Sequence, residues 1–443
     1  MKDLTKGKPS VLILTFALPI FLANLLQLTY SIVDTRIVGT FLGENMLAAV
    51  GATTTLSNLI IGFLLGLSNG FAIVTAQKFG AKDIRAVKKS FATAIILGVS
   101  TALVLTVAGL VFLHPTLKFL NIPDELFKES ASYISVIIAG LLATFLYDIC
   151  AAVLRAIGDT ITPLIILAIS VALNVAGDIF FVVIVKAGVR GAAVATVLAQ
   201  LIAFVVCAFY MVKKYDILRL SRNDFKGMES AMVKNMLGGG LSMGFMSSLV
   251  NIGSLTLQTA INKLGQDIIV AHTAARKISE IFMVMFTVFG QTMATYCGQN
   301  IGAGKVDRVK KGIRLSILYT CIWCTLVIIA SYTIGGWLVY LVTGSSNDAV
   351  IVNATNYLKF DTIFYYVTAV ICIVRNAMQG LGEHITPLIS SSLEMIGKII
   401  IAATLVPVMG YTGVIIAEPL VWFIMVIPLI VKIYRMPVLK ESR

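Results

Sequence analysis

The chain has 443 residues, of which 58% are hydrophobic and only 13% charged, and its mean hydropathy is +0.93. A soluble domain carries about a quarter charged residues, so this composition excludes a soluble enzyme or binding module and indicates a protein immersed in lipid. The formal charge of +13 would suit nucleic acid only if it were spread over a soluble surface, which this chain does not have.

Apolar stretches of the ~20 residues needed to span a bilayer fall, in chain order, at 10–41, 46–74, 90–113, 128–152, 161–185, 191–212, 233–262, 268–296, 313–343, 350–378, 385–408 and 412–433. Lys2, Lys6 and Lys8 lead into a first stretch too long for a signal sequence and without a small-residue cleavage site, so it reads as a span. Period-two alternation is absent and the runs are too long for barrel strands. The backbone must then be satisfied inside helices, and the expected fold is an all-α polytopic membrane protein with twelve transmembrane helices.

Lys and Arg gather at 2–8, 78–89, 213–234, 305–314 and 432–443. All these segments face one side if every span crosses, and with Arg155 and Arg375 they hold about 25 of the 35 basic residues. The positive-inside rule assigns that side to the cytoplasm, placing both termini there, in an inner or plasma membrane. Attraction to anionic lipid is a secondary effect of the same charge, and nucleic acid is not expected as a partner.

The chain also repeats itself. GDTITPLI (158–165) returns as GEHITPLI (382–389), QKFGAKDIRAVKK (77–89) as QNIGAGKVDRVKK (299–311), and GVRGAAVA (188–195) as GYTGVIIA (410–417), at a shift of 222 to 224 residues. This is an internal duplication, with an N-terminal lobe over 1–218 and a C-terminal lobe over 219–443. Six spans per lobe bring the second copy into the membrane from the same side, so the repeats are parallel. The twice-written phrase is a short cytoplasmic turn: Gly158 and Gly382 suit helix C-termini and the Thr-Pro pairs start the next helix.

Several motifs carry no chemistry. GQNIGAGKV resembles a phosphate loop, but Gln299 and Val306 stand where the loop needs Gly and Ser or Thr. The six cysteines lie within or at the ends of apolar stretches, as small packing residues would. Three scattered histidines, His114, His272 and His384, form no metal-ligand spacing, and no channel filter motif is present. No cofactor and no metal are expected beyond a coupling ion.

Chemistry should appear where the two copies differ, and ionisable groups within the membrane are functional candidates. Asp34 lies on the first span and Asp178 on the fifth, with Asn174 one turn earlier; their counterparts near Thr256, Ala402 and Lys398 are not acidic. Helical rise puts Asp34 ~36 Å and Asp178 ~25 Å from the inner face, and Tyr133 and Thr196 enter from the outer side. All five fall in the outer half. Two carboxylates, an amide and two hydroxyls suit a desolvated Na⁺ or protons shared between repelling acids. Both acids could also be interfacial caps or ion-pair partners, Asp34 with Arg36 nearby; their confinement to one lobe favours the coupling site. Tyr133 has a twin in Tyr357, which is compatible with shared packing.

At this point the residues resemble a known family. ALPIFLANLLQLTYSIVDTRIVG, with Pro19 and Asp34, looks like the first helix of the multidrug and toxic compound extrusion (MATE) transporters of the MOP flippase superfamily. LNVAGDIFFV, with Asn174 and Asp178, looks like their fifth helix, and Thr196 and Tyr133 fall where archaeal-type members have cation ligands. The resemblance covers essentially the whole chain. It implies two six-helix bundles in a V shape, monomeric and not an enzyme, exporting amphipathic, often cationic organic molecules in exchange for Na⁺ or H⁺. It also implies a bending point at Pro19, where the missing helix hydrogen bond permits either a hinge or a static kink.

A second cation site in the C-terminal lobe would fall on Asp361 and Glu280, although Arg276 one turn before Glu280 and Lys398 one turn after Glu394 point to internal ion pairs instead. Substrate contacts are sought at Asn24 and Gln27 on the first span, Gln258 on the seventh, and Met283 among the methionines 243, 246, 283, 285 and 293 of the seventh and eighth. The polar three could instead join helices, and thioethers in membrane helices commonly only pack. An alternative within the superfamily is a flippase for an amphiphilic lipid-linked substrate; intramembrane Lys and Arg are scarce for that, at Arg36, Arg276, Lys277, Lys359 and Lys398.

Overall fold

The computed structural model describes residues 2–344 and 347–440, and every element among them is helical. Residues 441–443, the end of the last basic cluster, lie outside the described residues. Among the described residues, ten helices are long and apolar enough to cross a membrane alone. The predicted fourth and tenth spans are each two helices joined at a bend: Asp124–Ala139 with Leu141–Ala156 at 46°, and Asp348–Ile363 with Tyr365–Gly380 at 53°. Counting each bent pair once gives the twelve predicted spans. The breaks fall at Gly140 and Phe364, which are repeat-related, so the bend belongs to the duplicated plan. At the first break a side chain on Gly140 would meet Val197 at 2.3 Å, so only glycine lets the helices approach this closely.

Two compact units result, one of Met1–Asp3 and Leu18–Gly244, the other of Leu4–Ala17 and Phe245–Arg443. The helices Pro9–Leu42 and Ser230–Ile261 are thus each divided between the units. The first unit closes around Leu64, Phe71, Phe91 and Phe145; Phe145 seats its ring where a Cβ on Gly98 would stand, 1.6 Å away. The second closes around Phe286, Tyr357, Tyr365 and Trp422. Apolar side chains also line outward faces at helical spacing, as at Val104, Val107 and Val111, a pattern that suits lipid as the solvent.

The repeated turns are built alike. Gly158 and Gly382 have φ of 87° and 85°, the left-handed geometry that ends a helix. Asp159 then caps the next helix, accepting from the Thr162 N–H at 3.0 Å and hydroxyl at 2.6 Å, and from the Tyr215 hydroxyl at 2.6 Å. Glu383 does the same for Thr386, at 3.1 Å from its N–H and hydroxyl, and pairs with Lys432 at 3.1 Å. Burial raises the Asp159 pKa, but the hydrogen bonds from Thr162 and Tyr215 outweigh it and hold the carboxyl below its ordinary value.

Asp159→Ala should cost about 1–2 kcal/mol through the lost cap. Because the folded pKa is depressed, this stabilisation is present above the ordinary carboxylate value of about 4 and is lost as pH falls below it. The gap in unfolding temperature between wild type and Asp159→Ala should therefore narrow from pH 7 to pH 3. A constant gap would show that the ionised carboxyl is not what caps the helix.

The phosphate-loop look-alike has a structural use. In the second unit the Leu4 N–H donates to Gln299 Oε1 at 3.0 Å, and Lys305 Nζ donates to the Thr5 carbonyl at 2.7 Å. Arg308 donates to the carbonyls of Leu4 at 3.0 Å and Gly7 at 2.8 Å. The basic segment after the eighth span thus holds the turn that precedes the first helix.

Candidate ion-coupling site

The first span, Pro9–Leu42, runs as one helix through Pro19 and carries Tyr30 and Asp34 one turn apart. The fifth, Ile161–Asp178, carries Asn174 and Asp178 one turn apart and continues directly into a π-helix over Ile179–Ile184. Within the first unit these helices bring the carboxyl groups of Asp34 and Asp178 beside one another. Asp178 is fully buried and Asp34 half-buried. On each acid Oδ1 is buried without a hydrogen-bond partner. Two carboxylates so placed repel strongly unless a proton or a cation lies between them.

The surroundings supply further oxygen. With its amide nitrogen turned to the acids, Asn174 donates to Asp178 Oδ2 at 3.0 Å, and its oxygen accepts from the N–H and hydroxyl of Thr196 at 3.1 Å each. The Tyr30 hydroxyl lies 3.4 Å from Thr196 Oγ1, and Tyr30 and Tyr133 both stand beside the two acids. Asp34, Asp178, Asn174, Thr196 and Tyr133 are therefore together in one place. Tyr30 was not anticipated, although its position four residues before Asp34 puts it on the same helix face. Among the described residues no three His, Cys, Asp or Glu converge as a metal-holding group, so a cation here would depend on mixed carboxylate, amide and hydroxyl oxygens, as hard cations accept.

The second unit differs at the repeat-related positions. Tyr357, Lys398 and Glu418 follow Tyr133, Asn174 and Thr196 by 224, 224 and 222 residues. Arg276 Nη1 donates to both oxygens of Glu418 at 2.9 Å, and the Tyr357 hydroxyl donates to Glu418 Oε2 at 3.0 Å. Lys398 Nζ lies 3.0 Å from Glu394 Oε1, 3.5 Å from Glu418 Oε1 and 3.2 Å from Ser254 Oγ. The first unit offers oxygens to a mobile cation, whereas this one holds side-chain cations of its own.

The expected second cation site on Asp361 and Glu280 does not assemble. Glu280 is exposed while Asp361 is fully buried near Tyr365, Arg276 and Glu418, so the two do not share a site. The pairing expected of Arg276 with Glu280 is replaced by Arg276 with Glu418, whereas Lys398 with Glu394 is observed. Neither oxygen of Asp361 has a hydrogen-bond partner. Of the substrate candidates, Asn24 donates to the Ile20 carbonyl of its own helix at 2.8 Å, and Gln258 to Asn262 one turn on at 2.9 Å. Neither bond joins helices. Gln27 is exposed, and Met283 lines a cavity of the second unit. Met246 and Met293 are buried packing residues.

A model of the MatE family matches residues 19–180 and again 243–404, well over half the chain. The chain belongs to the MatE family. Its two matches coincide with the two copies inferred from the repeat. Probable multidrug resistance protein YpnP of Bacillus subtilis is 28% identical over 391 residues, covering 87% of this chain and 86% of that protein. Multidrug export protein MepA of Staphylococcus aureus is 23% identical, covering 90% and 88%. Among solved structures, an outward-facing multidrug resistance MATE family transporter superposes with a TM-score of 0.91 at 21% identity, covering 99% of this chain and 98% of that one. A MOP superfamily transporter from Pyrococcus furiosus gives 0.91 at 20%, also covering 99% and 98%. MatE proteins are multi-pass membrane transporters rather than enzymes, and this chain shares that class.

Proposed function

We propose that the protein is an antiporter that exports amphipathic, often cationic organic compounds in exchange for Na⁺ or H⁺. The observation that carries this reading is the contact between Asp34 and Asp178, each with an unpartnered buried oxygen, in one unit only. An ion or proton taken up there removes the repulsion between the carboxylates. It therefore favours whichever state holds the acids together, and it can drive transport only through that difference in affinity. The names of the bacterial relatives, probable multidrug resistance protein and multidrug export protein, support an organic substrate. The basic clusters support an orientation with both termini in the cytoplasm, and one chain holds the whole acid cluster, as a monomer requires.

The test is transport of a cationic dye by the purified protein in vesicles, with Na⁺ and proton gradients imposed separately. Dye movement should accelerate under one of them and reverse when that gradient is reversed. Equal rates with and without either gradient would overturn coupling.

A further inference from the structure

The second unit contains a cavity of about 250 Å³ that the coupling reading does not use. Its walls carry three cations, Arg276, Arg375 and Lys398, and two acids, Glu394 and Glu418. The acids are already taken: Glu418 by Arg276 and Lys398, Glu394 by Lys398. Arg375 is left over. Among the described residues it joins no ion pair; Nη1 donates to Ser391 Oγ at 3.1 Å, and its buried Nε has no hydrogen-bond partner. A buried guanidinium donor without an acceptor is costly, because it has lost water and gained nothing.

A second polar group points to the same need. Thr368 lines the cavity, is 8% exposed, and its hydroxyl is also unpartnered. Thr368 and Arg375 are seven residues apart on the helix Tyr365–Gly380, two turns along one face. Both side chains line one space. Most of the remaining wall is apolar, with Phe286, Ile371, Trp422 and Met425 buried and Met283 half-buried, beside the hydroxyl residues Ser254 and Thr287. The cavity has room for several waters, which would wet the aromatic wall.

We propose that this cavity binds an organic monoanion, a carboxylate or sulfonate on a compact aromatic or aliphatic body. The anionic group accepts from Arg375, with its guanidinium fork, and from the Thr368 hydroxyl. The apolar body lies against Phe286 and Trp422. One negative charge balances the single excess positive charge of the wall, so a cation of the same shape is rejected. The site is separate from Asp34 and Asp178 and stands whether or not transport is coupled there.

The test is equilibrium dialysis of the full-length protein in uncharged detergent against 2-naphthoate, its neutral amide, and 2-naphthylmethylammonium. Saturable binding of one naphthoate per chain is expected, at least about tenfold tighter than the ammonium, as hydrogen bonds to a charged partner provide. Arg375→Met should weaken naphthoate by a similar factor, and Arg375→Lys, which keeps the charge but not the fork, should weaken it less. Equal binding of naphthoate and ammonium, absence of saturable binding, or undiminished binding by a folded Arg375→Met would each overturn the proposal. The comparison of the three probes on the wild type decides the matter even if Arg375→Met does not fold.

Discussion

Asp178→Asn should leave a folded, membrane-inserted protein whose gradient-driven efflux falls by at least about tenfold, the loss expected when a buried charged ligand becomes a neutral one. Asparagine fills the same volume and can keep the contact with Asn174, so packing around the fully buried position is preserved. What disappears is the second negative charge. Without it, Asp34 has no acid to repel and no reason to hold a proton or Na⁺ more tightly in one state than in the other. Detergent unfolding temperature should stay level or rise, since a buried charge has been removed. Asp34→Asn should give the same loss, and the double variant should be no worse than either, because the two acids serve one ion. Undiminished efflux from Asp178→Asn, measured as dye movement in vesicles under the driving gradient, would remove the coupling site.

Lys398→Met should be among the most damaging single changes to stability. The residue is 2% exposed, and its ammonium serves both Glu394 and Glu418. Removing it leaves Glu394 buried without a counter-charge, and breaking a buried pair from one side costs about 3–5 kcal/mol. Glu418 suffers less, since Arg276 and Tyr357 remain on it. Adding Glu394→Gln to Lys398→Met should therefore recover much of the loss, a coupling readable in a double-mutant cycle of unfolding temperatures. If Lys398→Met unfolds with the wild type, the ion cluster does not hold the second unit together.

What was legible in the sequence follows from the range of the interactions concerned. The turns at Gly158 and Gly382 could be read because their chemistry is written within eight residues. The meeting of Asp34 with Asp178 could be anticipated because the duplication supplied a control copy lacking both acids. The bends at Gly140 and Phe364 were hidden inside stretches that read as single spans, because hydropathy does not register helix direction. Arg276 and Glu418 are 142 residues apart, and from the sequence only the neighbour one turn away, Glu280, offered itself as a partner. Four residues advance a helix by about 40° beyond a full turn, enough here to leave Glu280 exposed while Arg276 reaches inward. The N-terminal residues held by Lys305 and Arg308 were unreadable for the same reason, their bonds crossing some 300 positions.

The π-helix that begins one residue beyond Asp178 has a mechanical consequence. A π turn accommodates one residue more than an α turn, and that surplus can be passed along the rod like a wrinkle in a carpet. Sliding it one step toward Asn174 would swivel Asp178 by about 100° about the rod's axis, with the backbone ladder intact on either side. Separating the two acids then needs only a one-residue change of winding, not melting of the fifth span.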